Sequence, residues 1–146
     1  MSTGGLVMRL SRTVGYALQA TLLLARMETH GPVPCSRLAA EGAMPERFLL
    51  QILRNLVTHG ILDSTRGVEG GYTLERSLSD ISLLEVIEAV DGPLISTIPG
   101  GEGLPEESRE KLEYTLSEVT GLVRRELAAV KLAHLLPAVD VQVSHH

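Results

Sequence analysis

The sequence predicts a mainly α-helical chain that carries one two-stranded β-hairpin and closes on a long helix. Three observations predict it. Helix-length segments punctuated by Gly and Pro fill residues 11–60, a glycine-rich turn joins two short β-prone runs at 61–74, and an apolar seam repeats over 112–130. The 146 residues hold no Trp, one Phe and three Tyr, so Leu, Val, Ile and Ala must build the core. That composition suits a single domain with an appended helical element.

The elements follow in order. From Ser11 to about Glu28 the chain reads as a helix, with Val14, Leu18, Leu22 and Ala25 as its apolar stripe, and "THGPVP" stops it. A short helix from Cys35 to about Glu41 places Leu38 and Ala39 inward before "EGAM" turns the chain. Pro45 fits the first position of the next helix, where its missing N–H costs nothing. That helix runs to about His59, is closed by Gly60, and has the stripe Phe48, Leu49, Ile52, Leu53, Leu56; Glu46, Arg47, Gln51, Arg54 and Asn55 face the other side. Ile61, Leu62 and Ser64 read as a strand and Tyr72, Thr73 and Leu74 as its return. Ser82 and Glu85 are spaced as a capping box for a helix ending before Gly92.

Residues 92–105, with four glycines and three prolines, must be irregular. Pro105 opens the long last helix, expected over 105–136. Within it Leu112, Leu116, Val119, Val123, Leu127 and Val130 form a coiled-coil-like seam with a stutter, long enough to need a partner helix. The tail 137–146 reads as loose, and its terminal histidine pair as an addition. The order helix, helix, helix, hairpin, helix, long helix is that of a winged helix-turn-helix domain with a helical extension.

Charge divides along the chain. Residues 1–66 carry seven Arg against four acidic residues, and residues 67–146 carry six Lys or Arg against fourteen, so the net −5 splits into +3 and −8. An anionic partner would meet the first half. The longest apolar run, "ALQATLLLA", is too short to span a bilayer, and "MSTGGLVMRL" has no signal-peptide pattern. The single Cys35 excludes an intrachain disulfide framework and multi-cysteine metal motifs. A cytoplasmic location is the expectation.

Enzymatic chemistry finds little support. "STRGVEGGYTL" (64–74) packs three glycines into five positions, but no Lys-Ser or Lys-Thr follows them and the chain continues as strand. A hairpin tip is the better reading, with Arg66 able to reach a phosphate or a narrow minor groove; alone, Arg66 reads equally well as a solvated hairpin arginine. Arg47 can bridge guanine O6 and N7, Gln51 can pair with adenine, and Arg54 lies further along towards phosphate. The plainer reading of that helix is a solvated polar face. The tight turn, the following wing and the local positive balance favour DNA over it. Cys35 has no neighbouring base, and the five histidines match no zinc spacing. The acidic run Glu102, Glu106, Glu107, Glu110, Glu113 could serve as a metal or partner site, but a solvated helix face is the more ordinary reading.

"MRLSRTVGYAL" (8–18), "GPVP" (31–34), "MPERFLLQILRNLVTHGIL" (44–62), "STRGVEGGYTL" and "ISLLEVIEAVDGPL" (81–94) together resemble the Rrf2 family of bacterial winged-helix transcription regulators, the family of IscR, NsrR and CymR. Met8 falls where family chains usually begin, which makes residues 1–7 an added lead. The resemblance implies a homodimer on a pseudo-palindromic operator, with residues 8–92 as the DNA-binding domain, 93–104 as a loop at the family's sensor position and the long helices as dimer interface. It implies DNA contacts from Ser11, Tyr16, Glu46, Arg47, Gln51, Arg54, Arg66 and Gly67. Leu50 departs from relatives that carry glutamate there, so base preference should differ. Cluster-binding relatives carry three cysteines in the loop that here reads "GPLISTIPGGEGLPEE". Thiolates hold such clusters, so no cofactor is expected. The effector, a small molecule or a protein, is left open. The expected function is a sequence-specific DNA-binding regulator, a repressor by the family's habit. The reading set beside it is a winged-helix protein-interaction module without DNA binding.

Overall fold

The computed structural model describes residues 9–27 and 31–138, and the chain divides between Glu75 and Arg76 into two compact units. Met8, residues 1–7, His30 and the terminal histidines lie outside the described residues.

In the first unit, Ser11 precedes α1 (Arg12–Met27), and its hydroxyl accepts the Val14 N–H at 3.2 Å. The buried line of α1 is Val14, Ala17, Ala20, Thr21 and Leu24, whereas Leu18, Leu22 and Ala25 of the expected stripe are only half-buried. Small side chains on the inner line let α1 pack on α2 (Cys35–Gly42), α3 (Glu46–Thr58) and β2 (Gly71–Leu74). Thr21 is tolerated there because its hydroxyl donates to the Ala17 carbonyl at 2.7 Å. Helix α2 buries Leu38 and Ala39 as its spacing predicts. Pro45 caps α3 from outside, so the helix begins one residue later than predicted, and the chain leaves it through His59 and Gly60, whose φ is +76°.

Helix α3 buries Leu49, Ile52, Leu53 and Leu56. Phe48 is a correction to the predicted stripe: it is 67% exposed. At about 100° per residue, 49, 52, 53 and 56 already complete an inward face, and 48 falls outside it.

Strands β1 (Leu62–Thr65) and β2 pair antiparallel, with Leu62 opposite Leu74 and Thr65 opposite Gly71. Val33 extends this ribbon, exchanging both backbone hydrogen bonds with Tyr72 at 3.0 and 2.8 Å. That pairing explains the double glycine. A β-carbon on Gly70 would fall on the Thr65 carbonyl oxygen, and one on Gly71 on the Val33 carbonyl. The glycines therefore serve close backbone approach as much as the turn.

In the second unit, a short 3₁₀ turn at Leu78–Asp80 leads to Ser82, which forms the predicted capping box with Glu85 at the start of α4 (Leu83–Asp91). Residues 92–105 are irregular apart from a 3₁₀ turn at Gly101–Gly103. Pro105 caps α5 (Glu106–Ala129) from outside. This helix ends seven residues short of the expected 136. The Val130 carbonyl accepts from Leu83 N–H at 2.8 Å, and Leu132 N–H donates to Ile81 O at 2.9 Å. These bonds pull the chain into extended form and bury Leu132 completely. Val130 is thus the C-cap of α5, not a member of its seam. The second unit begins at Arg76, and within it α4 is tied to α5 by the Arg124–Glu88 ion pair.

Candidate nucleic-acid interface

The first unit carries most of the residues that the sequence marks for DNA. On α3, the sequestration of Leu49, Ile52, Leu53 and Leu56 turns Arg47, Gln51 and Arg54 outward together, and all three are exposed. At 100° per residue they span about 60° of the helix circumference. Gln51 Nε2 donates to Asn55 Oδ1 at 3.2 Å, which orients the amide along the helix before any ligand arrives. Glu46 opens α3, and Pro45 offers no side-chain cap. A carboxylate at this point can accept from cytosine N4 but repels phosphate.

The wing is a tight turn in which Gly70 N–H bonds the Gly67 carbonyl at 3.0 Å. Gly67 has φ +113°, open space around it, and sits beside the exposed Arg66. Among the described residues Arg47, Arg54 and Arg66 have no ion-pair partner. Their donors are therefore open to an external anion.

Arg54 and the root of the wing adjoin. The Tyr72 hydroxyl is pushed up by burial and by the neighbouring Cys35, and is partly pulled back by the positive charge of Arg54. Cys35 is half-buried, its Sγ 3.9 Å from the Glu46 carbonyl oxygen. Burial, then the Glu46 charge, push its thiol up. Such a thiol stays protonated and is a poor nucleophile and a poor ligand.

Ser11 and Tyr16 stand apart from this group. Ser11 is exposed and engaged in capping α1, and Tyr16 is half-buried in the second turn of that helix. Sequence reasoning missed Phe48 and Val68. Both are large, apolar and exposed, Phe48 beside Arg47 on α3 and Val68 fully exposed in the wing turn. The signal for Phe48 was present, since the inward face is complete without it. Nothing in the sequence distinguishes Val68 from an ordinary turn residue.

On α5 no residue is fully buried. Leu112 and Val119 of the seam, and Leu122 beside them, are exposed by 38, 50 and 57%. Leu116, Val123 and Leu127 are half-buried. No described helix is long and apolar enough to cross a membrane.

Residues 10–138 match the Rrf2 family model, described as an iron-dependent transcriptional regulator. The chain is 41% identical over 96 residues to a Mycobacterium tuberculosis protein named as an HTH-type transcriptional regulator, a match covering 66% of this chain and 60% of that one. It is 35% identical over 96 residues to the HTH-type transcriptional regulator IscR of Escherichia coli, covering 66% of this chain and 59% of IscR. These matches span about 60% of the curated relatives' length. Among solved structures, CymR, the global cysteine regulator of B. subtilis, superposes with a TM-score of 0.67 at 25% identity, covering 88% of this chain and 96% of CymR.

The donor set does not fit the iron of the family description. The chain has one cysteine, its thiol is held protonated, and residues 92–105 contain neither Cys nor His. Among the described residues no group of three or more His, Cys, Asp or Glu is placed to hold a metal ion.

Proposed function

The chain belongs to the Rrf2 family of transcriptional regulators, and from that premise we propose that it binds double-stranded DNA as a homodimer on a pseudo-palindromic operator, without an iron–sulfur cluster. One observation carries the reading. Arg47, Gln51 and Arg54 are turned to one exposed side of α3, and an exposed arginine stands at the tip of the adjoining hairpin. Helix-turn-helix proteins place the N-terminal residues of their second helix against base edges in the major groove.

In this reading Arg47 bridges guanine O6 and N7, Gln51 releases Asn55 to pair with adenine, and Glu46 accepts from cytosine. Arg54 meets phosphate near the root of the wing, and Arg66 enters the minor groove or meets phosphate, with Gly67 giving the backbone its approach. Ser11 and Tyr16 support the first helix beside the backbone of the duplex. The exposed seam of α5 supplies the second copy's contact, since a 24-residue helix with no buried residue gains its stability from packing. The protein acts in the cytoplasm as a repressor, relieved by a signal that is not cluster oxidation.

The test is operator selection from genomic fragments, followed by anisotropy titrations over a range of salt. Arg47→Ala and Gln51→Ala should each cost about 1–3 kcal/mol on the selected site and little on random DNA. Arg66→Ala should weaken both, and flatten the salt slope by about one counterion if it meets phosphate. Wild-type affinity in all three variants would overturn the interface. No salt-dependent binding by the wild type would instead favour the protein-interaction module.

A further inference from the structure

Among the described residues of the first unit, Phe48 is the one exposed aromatic side chain. It is also the only phenylalanine of the chain, and it stands 67% exposed in the first turn of α3. At about 100° per residue, Gln51 falls between Arg47 and Phe48, about 40° from the first and about 60° from the second. Phe48 and Gln51 are also i, i+3 neighbours, whose β-carbons lie about 5–6 Å apart on a helix. We propose, as an extension of the DNA-binding reading on which it rests, that Phe48 reads the C5 methyl group of a thymine beside the base that Gln51 pairs with. One base of each half-site is fixed in this way.

The chemistry of the groove selects the methyl group. A helix with its side chains is about 10–12 Å across and the major groove is about 12 Å wide, so a seated α3 fills it. The phenyl ring in its first turn is then covered whatever sequence lies beneath. Guanine, adenine and cytosine present hydrogen-bond donors and acceptors along the groove, whereas thymine adds a methyl group. A phenyl ring satisfies none of the polar groups, and covering one strips its water and leaves it unpaired. Against the methyl group, both apolar surfaces leave water together. Thymine is thus favoured twice, by its own gain and by the penalty on the other bases.

The ring has little part in holding the helix. Leu49, Ile52, Leu53 and Leu56 complete the inward face, and none of them is more than 4% exposed. Helix propensity favours Ala over Phe, so truncating Phe48 should leave α3 in place. The contact also has a direction. Phe48 lies on one flank of the polar face, while the other flank carries Glu46 and the half-buried Leu50. Base pairs rise by about 3.4 Å, so a spacing of about 5–6 Å puts the thymine within about two base pairs of the one read by Gln51.

The test measures affinity for the selected operator with uracil replacing each thymine in turn. Uracil pairs as thymine does and lacks only the methyl group. For the wild type, one thymine per half-site should respond, within about two base pairs of the position at which Gln51→Ala loses discrimination. Its conversion should weaken binding about fourfold, the factor given by one buried methyl-sized group. Conversion in both half-sites should weaken it about sixteenfold. Phe48→Ala should bind the thymine operator about four- to tenfold more weakly and show no further loss with uracil. Phe48→Leu, which keeps an apolar side chain, should retain part of the preference. An unmoved denaturation midpoint in Phe48→Ala would show that a contact has been lost and not the fold. Equal affinity for thymine and uracil at every position overturns the proposal, and so does a uracil penalty that Phe48→Ala retains. Weaker binding of Phe48→Ala to all sequences alike, with no uracil effect, places the ring on deoxyribose and overturns it too. Each of these results leaves the operator reading standing, whereas no DNA binding by the wild type overturns both.

Discussion

In residues 9–75, Arg37, Arg47, Arg54 and Arg66 all face solvent, and none has an ion-pair partner among the described residues. In residues 76–138, three of the four arginines are bound to their own chain, Arg76 to Glu85, Arg124 to Glu88, and Arg109 to the carbonyls of Gly101 and Glu102 at 3.2 and 3.1 Å, while Arg125 has no ion-pair partner among the described residues. The contrast shows one residue type put to two uses. Where the guanidinium is bound to its own chain it holds a turn or an irregular segment in place. Where it is unpartnered it contributes little to folding and retains its donors for an external anion. Charge divides in the same direction: residues 1–75 carry seven Arg against six acidic residues, and residues 76–146 carry six Lys or Arg against twelve, which gives +1 and −6.

The largest effect should come from the backbone that carries the first set. Gly71→Val would place a side chain on the Val33 carbonyl and break the pairing of Val33 with Tyr72. A loss of about 3 kcal/mol or more is expected, read as a fall in the chemical-denaturation midpoint. Gly67→Ala meets nothing within 4 Å and should cost only about 1–2 kcal/mol from its positive φ. If the two substitutions cost the same, the wing root is not held by the Val33 contact.

Next come the arginines themselves, where the two uses predict crossed results. Arg47→Ala should lower operator affinity by about 1–3 kcal/mol and leave the denaturation midpoint nearly unmoved. Arg124→Gln should do the reverse, costing about 1 kcal/mol of stability because Glu88 loses its partner in a partly solvated site. An Arg124→Gln protein as stable as wild type would mean that the second unit's pairs are no more structural than the first unit's unpaired charges.

Most of the architecture was legible because its signals are local. Proline marks the starts of α2, α3 and α5, Gly60 closes α3, and Ser82 with Glu85 marks α4. Arg47, Gln51 and Arg54 could be placed on one face from spacing alone. What was not legible depends on contacts distant in sequence. The inner line of α1 runs through Ala17, Ala20 and Thr21, which no hydropathy stripe selects, because close approach to α2, α3 and β2 favours small side chains. Helix α5 stops at Ala129 because Leu83 and Ile81 compete for its last backbone groups. The Arg124–Glu88 pair joins residues 36 apart.

A smaller effect separates the units by pH. Burial raises the Glu85 carboxyl, but hydrogen bonds from Arg76 and Ser82 outweigh it and leave the group below its ordinary value. Glu88 behaves alike, with Arg124 and the Leu94 N–H outweighing burial. A carboxyl lowered in the folded state contributes stability that is complete above its unfolded pKa. That contribution is lost as pH falls through the folded value. Both sites are partly solvated, so each contribution should be no more than about 0.5 kcal/mol. Residue-resolved hydrogen exchange should show protection in 76–138 declining as pH drops below the ordinary carboxylate range, about pH 4. Equal or earlier loss in 9–75 would break the comparison.

The smallest effect concerns Cys35, the one residue that could give the open first unit a redox switch of its own. It sits beside Glu46, at the start of the helix that offers Arg47. The position is suggestive, but the chemistry runs the other way. Burial and the adjacent carboxylate both favour the protonated thiol, whereas oxidation and disulfide exchange proceed through the thiolate. Cys35→Ala should therefore shift stability by about 0.5 kcal/mol or less and leave operator affinity unchanged. The thiol should react with a disulfide reagent at neutral pH about tenfold more slowly than a free cysteine. A fast reaction accompanied by loss of DNA binding would show that the first unit carries a redox control of its own.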